Sequence, residues 1–542
     1  MLKKFGKINL IAFLAIALVF VLAACNGNGT ETGNDNDSDD PIVENGNGDD
    51  NGDTTSDTPS GDPGRGLVVA TIADAVQLDP QGAQDGRSML VKNQIFERLV
   101  TQNYEMGFDP GLAESWTQID DLTIEFNLRQ DVYFHNGERM TAADVVFTLQ
   151  RAVESPHLEM VVGSIDADSI EMIDEFTVRL ATSAPFAPLL SSLSHVGLGI
   201  VSEAAVTAQG EEDFARNPVG TGPFAFDNWV AGDRVELVRF ENYHGQVAGV
   251  PTLTFRVVSE AFSRFVELET GGVDIALDIA PSDIARINED ANLALVQGDS
   301  LRVQYIGFNF EVEPFDDVRV RQALNYAVDA ELIIQTLGEN AIGLQTGPMS
   351  PGIWGANPDI ADPHPFNPDR ARELLAEAGF PDGFNTTLTV DGDPFRVSIM
   401  TAIAHQLGEV GVNVDIQTLE WAAYQEATFT GEHALASLGH TATTGDADNG
   451  LWPLFHTSAQ GRGGNRTWYS NPEVDALLEA ARGEMDREAR LALYFEIQEI
   501  IVGDAPWINV FLPVLTVGTR SDVNGFEVFP GGRHNFGGVY FE

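Results

Sequence analysis

The chain has 542 residues and carries 82 Asp and Glu against 30 Lys and Arg, for a net charge of −52. A surface this acidic excludes nucleic acid or anionic lipid as a partner bound through surface charge, and a single cysteine excludes a disulfide framework. A chain of this length buries ample core without covalent staples and has room for more than one domain.

At the N-terminus Lys3, Lys4 and Lys7 precede an apolar run from Leu10 to Ala24. The run is shorter than the ~20 residues a spanning helix needs. With its basic start and small terminal residues it reads as a secretory signal over 1–24. Leu22-Ala23-Ala24-Cys25 resembles the bacterial lipobox, which implies cleavage before Cys25 and lipidation of its thiol. Two or more acyl chains on that residue would hold the protein at the outer face of the cell membrane. Residues 25–66 are nearly all Asn, Gly, Asp, Thr, Ser and Pro. Such a stretch has too little apolar surface to offset ordering and reads as a disordered tether.

Without the leader, the remaining bases are Lys92 and 26 Arg. Arg keeps its charge where Lys begins to lose it, and salt screens self-repulsion. The composition therefore predicts a protein whose urea midpoint rises in molar salt. A bias toward Arg codons would give the same composition with no such rise, and a flat salt titration would select it.

From Leu67 onward strands and helices mix. "LTIEFNLR" (122–129), "FTVRLA" (176–181), "DRVELVRF" (233–240) and "VNVDIQTL" (412–419) alternate apolar and polar residues, as half-buried strands do. Thr141 is placed to cap a helix over "AADVVFTLQRAV", and Gly220, Gly222 and Pro223 read as a tight turn feeding a strand. "DDVRVRQALNYAVDAELIIQTL" (316–337) has apolar residues at helical spacing. Asn367 with Pro368, and Asn471 with Pro472, are helix starts, and Gly379 is a stop. A last strand-like piece is "WINVFLPVLTVGT". The mixture predicts α/β lobes.

Several blocks in fixed order carry a family resemblance: "VYFHNGERMTAADVVFTLQRA" (132–152), "NPVGTGPFAFDNWVAGDRVELVRFENYHG" (217–245), "DVRVRQALNYAVDAELII" (317–334), "NPDRARELLAEAGFPDGF" and "YSNPEVDALLEAARGEMDREARLALYFEIQEIIVGDAPWI". They resemble the family 5 extracytoplasmic solute-binding proteins of ABC importers, whose members take oligopeptides, dipeptides, nickel and glutathione. The resemblance implies an α/β, two-lobed, periplasmic-binding-protein-like clamp (class II, cluster C type) with an extra subdomain in lobe I. Mapped here, lobe I covers 67–310 with the extra subdomain at about 117–218, lobe II covers 311–509, and 510–542 returns to lobe I. It implies a monomer that closes on a short peptide by hinge motion and meets permease subunits with their ATPases. It implies no cofactor, metal or catalytic residue.

A peptide in a closed cleft brings charges that need partners. For the ammonium, the resemblance points to the block "TTGDADNGLWPLF" (443–455) with Asp446 and Asp448. Its T-G-[DE]-A-D arrangement resembles the glutathione-type members more than the dipeptide-type block. For the carboxylate, Arg396 in "DGDPFRVSIM" is the first candidate, near a helix start where backbone N–H groups also favour anions, and Arg87 in "QDGRSMLV" is the second. Trp421 and Tyr424 in "LEWAAYQEA" resemble the family's aromatic element near the cleft.

Other readings stay open within and beyond this fold. A nickel-complex or heme receptor would want clustered ligands, but the ten His are dispersed, with His433, His440 and His456 in the cleft region and His135 reading as a turn-ordering residue. An extracellular hydrolase finds no G-x-S-x-G and no zinc motif in the sequence. A sensor that passes its ligand to no transporter would look the same in sequence.

Overall fold

The computed structural model describes residues 64–337, 342–343 and 346–542. The leader, Cys25 and the tether through residue 63 lie outside the described residues. The body starts slightly earlier than the composition implied. Arg65, read as tether, pairs with Asp274 and with Asp522 at 2.5 Å, and its guanidinium sits 3.9 Å from the Phe541 ring centre.

Two lobes share one long strand, Trp507–Arg520. Its first part pairs antiparallel with Arg302–Phe308, from Trp507↔Gly307 to Phe511↔Gln304. Its second part pairs with Leu293–Asp299, from Val514↔Asp299 to Arg520↔Leu293, and with Ile275–Leu277. The chain thus crosses between lobes at 299–302 and at 511–514. This moves the expected boundary: Arg302–Phe308 was assigned to lobe I, yet it pairs along its whole length with Leu435–Thr441 of lobe II. Alternation alone cannot say which sheet a strand joins.

In lobe I, Leu67–Thr71 lies between Thr252–Val257 and Ile275–Leu277, all parallel. Arg234–Arg239 and Phe224–Val230 extend the edge antiparallel. Separate apolar clusters cover the faces of this sheet, one around Phe96, Phe214 and Phe536, the other around Phe265 and Ile287. The extra subdomain is a four-stranded antiparallel sheet running from Ala113–Gln118 to Thr177–Ala181. It is backed by the helix Ala142–Glu154, whose start is a capping box between Thr141 and Asp144.

Lobe II is built on the parallel strands Phe384–Asp391, Val412–Leu419 and Leu435–Thr441. Its caps follow the sequence: Asn367 accepts from the Arg370 N–H, Asn471 from the Glu473 N–H, and Gly379 takes φ +97° past the end of Pro368–Glu377. The segment with helical spacing over 316–337 forms two helices, Val318–Tyr326 and Ala330–Leu337. The break lets the Asp329 N–H donate to Gln406 Oε1 at 2.8 Å. Apolar spacing continues across a bend because both helices bury one face in the same cluster, with Phe308, Phe315 and Leu324.

The Gly220–Pro223 block bends into the strand Phe224–Val230, as expected, but without left-handed backbone at its glycines. Neither Gly220 nor Gly222 has a positive φ. A Cβ on Gly220 would fall on the Ile95 carbonyl oxygen, and one on Gly222 would lie 2.8 Å from it. These glycines allow a close backbone approach to the helix Gly86–Ile95. His135 bridges the same block: its Nδ1 accepts from the Gly220 N–H at 3.3 Å and its Nε2 donates to the Gly222 carbonyl at 3.0 Å.

Candidate functional site: the facing carboxyl edges of two sheets

The register shows where both sheets end. Leu277 lies opposite Val517, and the next residues run toward the crossing, with the Ile279 N–H donating to the Thr516 carbonyl at 3.1 Å. In lobe II Thr441 lies opposite Arg302, and the Ala442 N–H donates to the Leu301 carbonyl. The C-terminal ends of the parallel strands in both lobes therefore converge on the crossing segments. That is where open α/β sheets bind ligands.

Each edge carries an arginine–aspartate pair. In lobe I, Arg87 Nη2 donates to Asp278 Oδ2 at 2.7 Å, with both side chains partly open to solvent. Asp278 directly follows its strand and is held at φ +54°, a conformation rare for a non-glycine residue. In lobe II, Arg396 Nη1 donates to Asp391 Oδ2 at 2.5 Å. Asp391 is the last residue of its strand, and Arg396 lies in the first turn of Pro394–Glu409. The expected help from backbone N–H groups fails for Arg396, because its N–H is taken by the capping carboxylate of Asp393 at 2.7 Å. The aromatic pair lies in the same lobe. Trp421 is 55% exposed and stacks on Tyr424 at 5.5 Å. Tyr424 is buried, and its hydroxyl donates to the Ser437 carbonyl at 2.6 Å.

Asp446 and Asp448 sit elsewhere, against the extra subdomain. Asp446 is 4% exposed and caps Ala447–Phe455 by accepting from the Asp448 N–H. It pairs with Arg490 and accepts from Ser191 Oγ of lobe I at 3.1 Å. Asp448 is gripped by Arg482 through Nε at 2.6 Å and Nη2 at 3.1 Å. Burial nevertheless raises the Asp448 pKa above the ordinary carboxylate value. Among the described residues neither aspartate contacts Arg396 or Arg87. Sequence reasoning missed the partners that neutralise them, Arg482 and Arg490, since each is one of many arginines on a helix.

Around these pairs the lobes touch. Gln102 Nε2 donates to the Thr444 carbonyl at 2.6 Å, and the Ala187 N–H to the Arg482 carbonyl at 2.8 Å. A cavity of about 180 Å³ lies here, with Met106, Leu190 and Ser191 on one wall and Trp354, Asp446 and Arg490 on the other. A larger one of about 860 Å³ separates Met160 and Phe186 of the subdomain from Trp452 and Arg482 of lobe II. Trp452 is sandwiched there between Arg482, 3.3 Å from its ring centre, and His456, stacked at 3.7 Å. The space between the halves thus has both acid and guanidinium in its walls.

The histidines are structural in geometry. His440 Nε2 donates to the Asn449 carbonyl at 2.7 Å, and burial pushes its pKa down to about 4. Burial does the same to His135 and His534, each to about 4, and brings His195 to about 3 with help from Arg533 and Arg98. Among the described residues no group of three or more His, Cys, Asp or Glu is placed to hold a metal ion. A base whose folded pKa lies below its unfolded ~6.5 leaves the unfolded chain binding more protons as pH falls. Stability from these groups is intact above pH 6.5 and is lost toward pH 4. For His195 and His534, both nearly inaccessible, the slope is about 1.4 kcal/mol per pH unit each. Carboxylates of ordinary pKa stay ionised down to pH 5, so relief of the acidic self-repulsion does not yet compete. The urea midpoint is expected to be lower at pH 5 than at pH 7; an unchanged midpoint would contradict this.

Two α/β lobes, a two-segment crossing and charge pairs on both facing edges define a hinged solute-binding clamp. The comparisons with known proteins agree. The model of "Bacterial extracellular solute-binding proteins, family 5 Middle" matches residues 107–462, and the chain belongs to that family. It is 34% identical over 475 residues to Heme-binding protein A of Haemophilus influenzae, covering 82% of this chain and 86% of that one. It is 32% identical over 477 residues to the glutathione-binding protein GsiB of Salmonella typhimurium, covering 86% and 92%. Among solved structures it resembles DppA from Helicobacter pylori in complex with the peptide STSA, with TM-score 0.77, 30% identity, and coverage of 88% and 98%. The chain is an extracytoplasmic binding protein and not an enzyme. Among the described residues no helix is long and apolar enough to cross a membrane.

Proposed function

We propose that this protein captures short peptides, glutathione-like ones included, and delivers them to the permease of an ABC importer while a lipid on Cys25 tethers it to the outer face of the cell membrane. The observation that carries this reading is the pairing of acid and guanidinium on both facing edges, Arg87 with Asp278 and Arg396 with Asp391. A zwitterion closed between these edges finds partners for both ends, which a buried charged ligand requires. Trp421 and Tyr424 add an aromatic surface beside the lobe II edge. Asp446 contributes by accepting from Ser191 across the lobes and by lining the cavity there, and Asp448 by fixing Arg482. Similarity to a glutathione-binding protein and to a peptide-bound structure supports the ligand class. The tether rests on the L-A-A-C motif and the polar segment after it. The test is native mass spectrometry of gently purified full-length protein: a retained peptide is expected, and the mass of a lipidated Cys25 tests the anchor.

A heme receptor of the same fold is the second reading, favoured by the similarity to Heme-binding protein A. Titration with hemin separates the two, since a saturable shift in the hemin absorption band that peptides cannot displace would overturn the peptide reading.

A further inference from the structure

The strands Val100–Gln102 and Phe108–Pro110 form a short hairpin on lobe I, with Gln102 opposite Phe108. The Asn103 N–H donates to the Gly107 carbonyl at 3.0 Å, and the Met106 N–H to the Asn103 carbonyl at 3.1 Å. A short hairpin loop of this kind favours glycine in its left-handed position. Here Met106 holds that position at φ +58°, while Gly107 beside it has no positive φ. A non-glycine residue in this region is uncommon, and it persists where its surroundings enforce it.

Those surroundings lie across the lobe boundary. Met106 is 4% exposed and belongs to an apolar cluster with Met349, Ile353 and Leu451 of lobe II. Gly445 of lobe II leaves room for it: at φ +66°, a Cβ there would lie 2.5 Å from Met106 Sδ and 2.6 Å from Gln102 Nε2. Beside this contact Gln102 Nε2 donates to the Thr444 carbonyl at 2.6 Å. The other end of the same amide is held on lobe I, where Gln102 Oε1 accepts from Arg533 Nη2 at 3.2 Å. Tyr104 packs the hairpin on lobe I, its ring centre 5.5 Å from that of Phe529. The hairpin is therefore fixed to one lobe and presents an apolar knob and an amide to the other.

These contacts cross the hinge, so they are made when the lobes shut and lost when they part. We propose that the hairpin is a latch of the closed clamp, with Met106 as a positioning residue that sets how long the lobes stay shut, whatever solute lies between them. The solute's own contacts decide which molecule is held. The latch multiplies every affinity by one common factor, because it acts on the open–closed equilibrium and not on the solute. Opening returns an apolar side chain to water on a backbone that disfavours it, which is why the left-handed methionine belongs to the closed form. The inference requires a clamp that closes, and uses the peptide reading only to choose the probes.

The test measures the affinity of glutathione and of trialanine, and the dwell time of the closed state in ligand-free protein, read by single-molecule fluorescence with one dye on each lobe. Met106→Gly keeps the left-handed turn and removes the knob. It is expected to shorten the closed dwell about 10-fold and to weaken both peptides by that same factor. The urea midpoint of the ligand-free protein is expected to stay unchanged, since the open form does not bury this side chain between the lobes. Met106→Leu, which keeps the volume, is expected to restore most of the dwell time and affinity. An unchanged closed dwell in Met106→Gly would overturn the latch. So would a lowered urea midpoint, which would make Met106 an ordinary core residue, or unequal losses for the two peptides, which would make it a ligand contact. If wild-type protein binds neither peptide, the peptide reading fails by itself and the dwell times still decide the latch.

Discussion

Arg490→Ala is expected to destabilise the protein by about 3–5 kcal/mol, and to loosen lobe II from the extra subdomain. Arg490 and Asp446 are 6% and 4% exposed and form an ion pair. Arg490 Nη2 also donates to the Tyr494 hydroxyl at 2.9 Å, and its guanidinium lies 4.7 Å from the Trp354 ring centre. Although burial opposes its charge, Asp446 keeps its pKa raised. Truncation leaves the Asp446 carboxylate in a dry environment with Ser191 Oγ and one backbone N–H as its donors. The cost arises mainly from that uncompensated charge, not from the pair's own attraction. Removing both charges should therefore hurt less than removing one: Arg490→Met with Asp446→Leu is expected to be more stable than Arg490→Ala. Urea denaturation of the three proteins checks this, and a double variant less stable than the single one would refute it.

Gly220→Ala is expected to cost about 3 kcal/mol, the upper end for forcing extra volume into a packed site. The added methyl would meet a backbone carbonyl, Ile95 O, which has no rotamer with which to give way. The displacement would propagate. Ile95 O also accepts from the Gly222 N–H at 2.8 Å, and the Gly220 carbonyl accepts from the His135 N–H at 2.9 Å. One methyl thus strains the contacts joining the helix Gly86–Ile95, the "FHNG" turn and the strand Phe224–Val230. Ser202→Ala, which removes a buried cap that accepts from the Ala205 N–H and donates to Glu138 Oε2 at 3.0 Å, should cost about 1–2 kcal/mol and calibrates the measurement. A urea midpoint for Gly220→Ala as high as that of Ser202→Ala would show that the approach is looser than the structure has it.

These two sites differ in how far the sequence exposes them. Gly220, Gly222 and His135 stand out as a motif, and the turn into the strand was legible, but the close backbone approach that requires the glycines was not. The close approach to Ile95 joins residues more than a hundred positions apart, and no local pattern encodes it. Arg490 gives no signal at all. It lies at an ordinary position in an 18-residue helix, Arg487–Asp504, and only folding brings it onto Asp446.

The candidate ligand residues divide in the same way. Arg396 and Tyr424 were singled out by chemistry and resemblance, and they do lie in one lobe near a sheet's carboxyl edge. Asp391 stood in the same quoted stretch as Arg396 and was passed over, because an aspartate in so acidic a chain is unremarkable until its free oxygen is seen.

By itself the sequence determined the alternation of strands and helices, the caps at Thr141, Asn367 and Asn471, and the ordered blocks that place the chain in its family. Those features arise from hydrogen bonding and side-chain periodicity within a few residues, so they are written locally. Tertiary structure alone decided where the chain crosses between lobes and which arginine neutralises which aspartate. Each of those depends on strand register and on burial across distances of up to several hundred residues, where the energy of a charge is set by what folding places beside it.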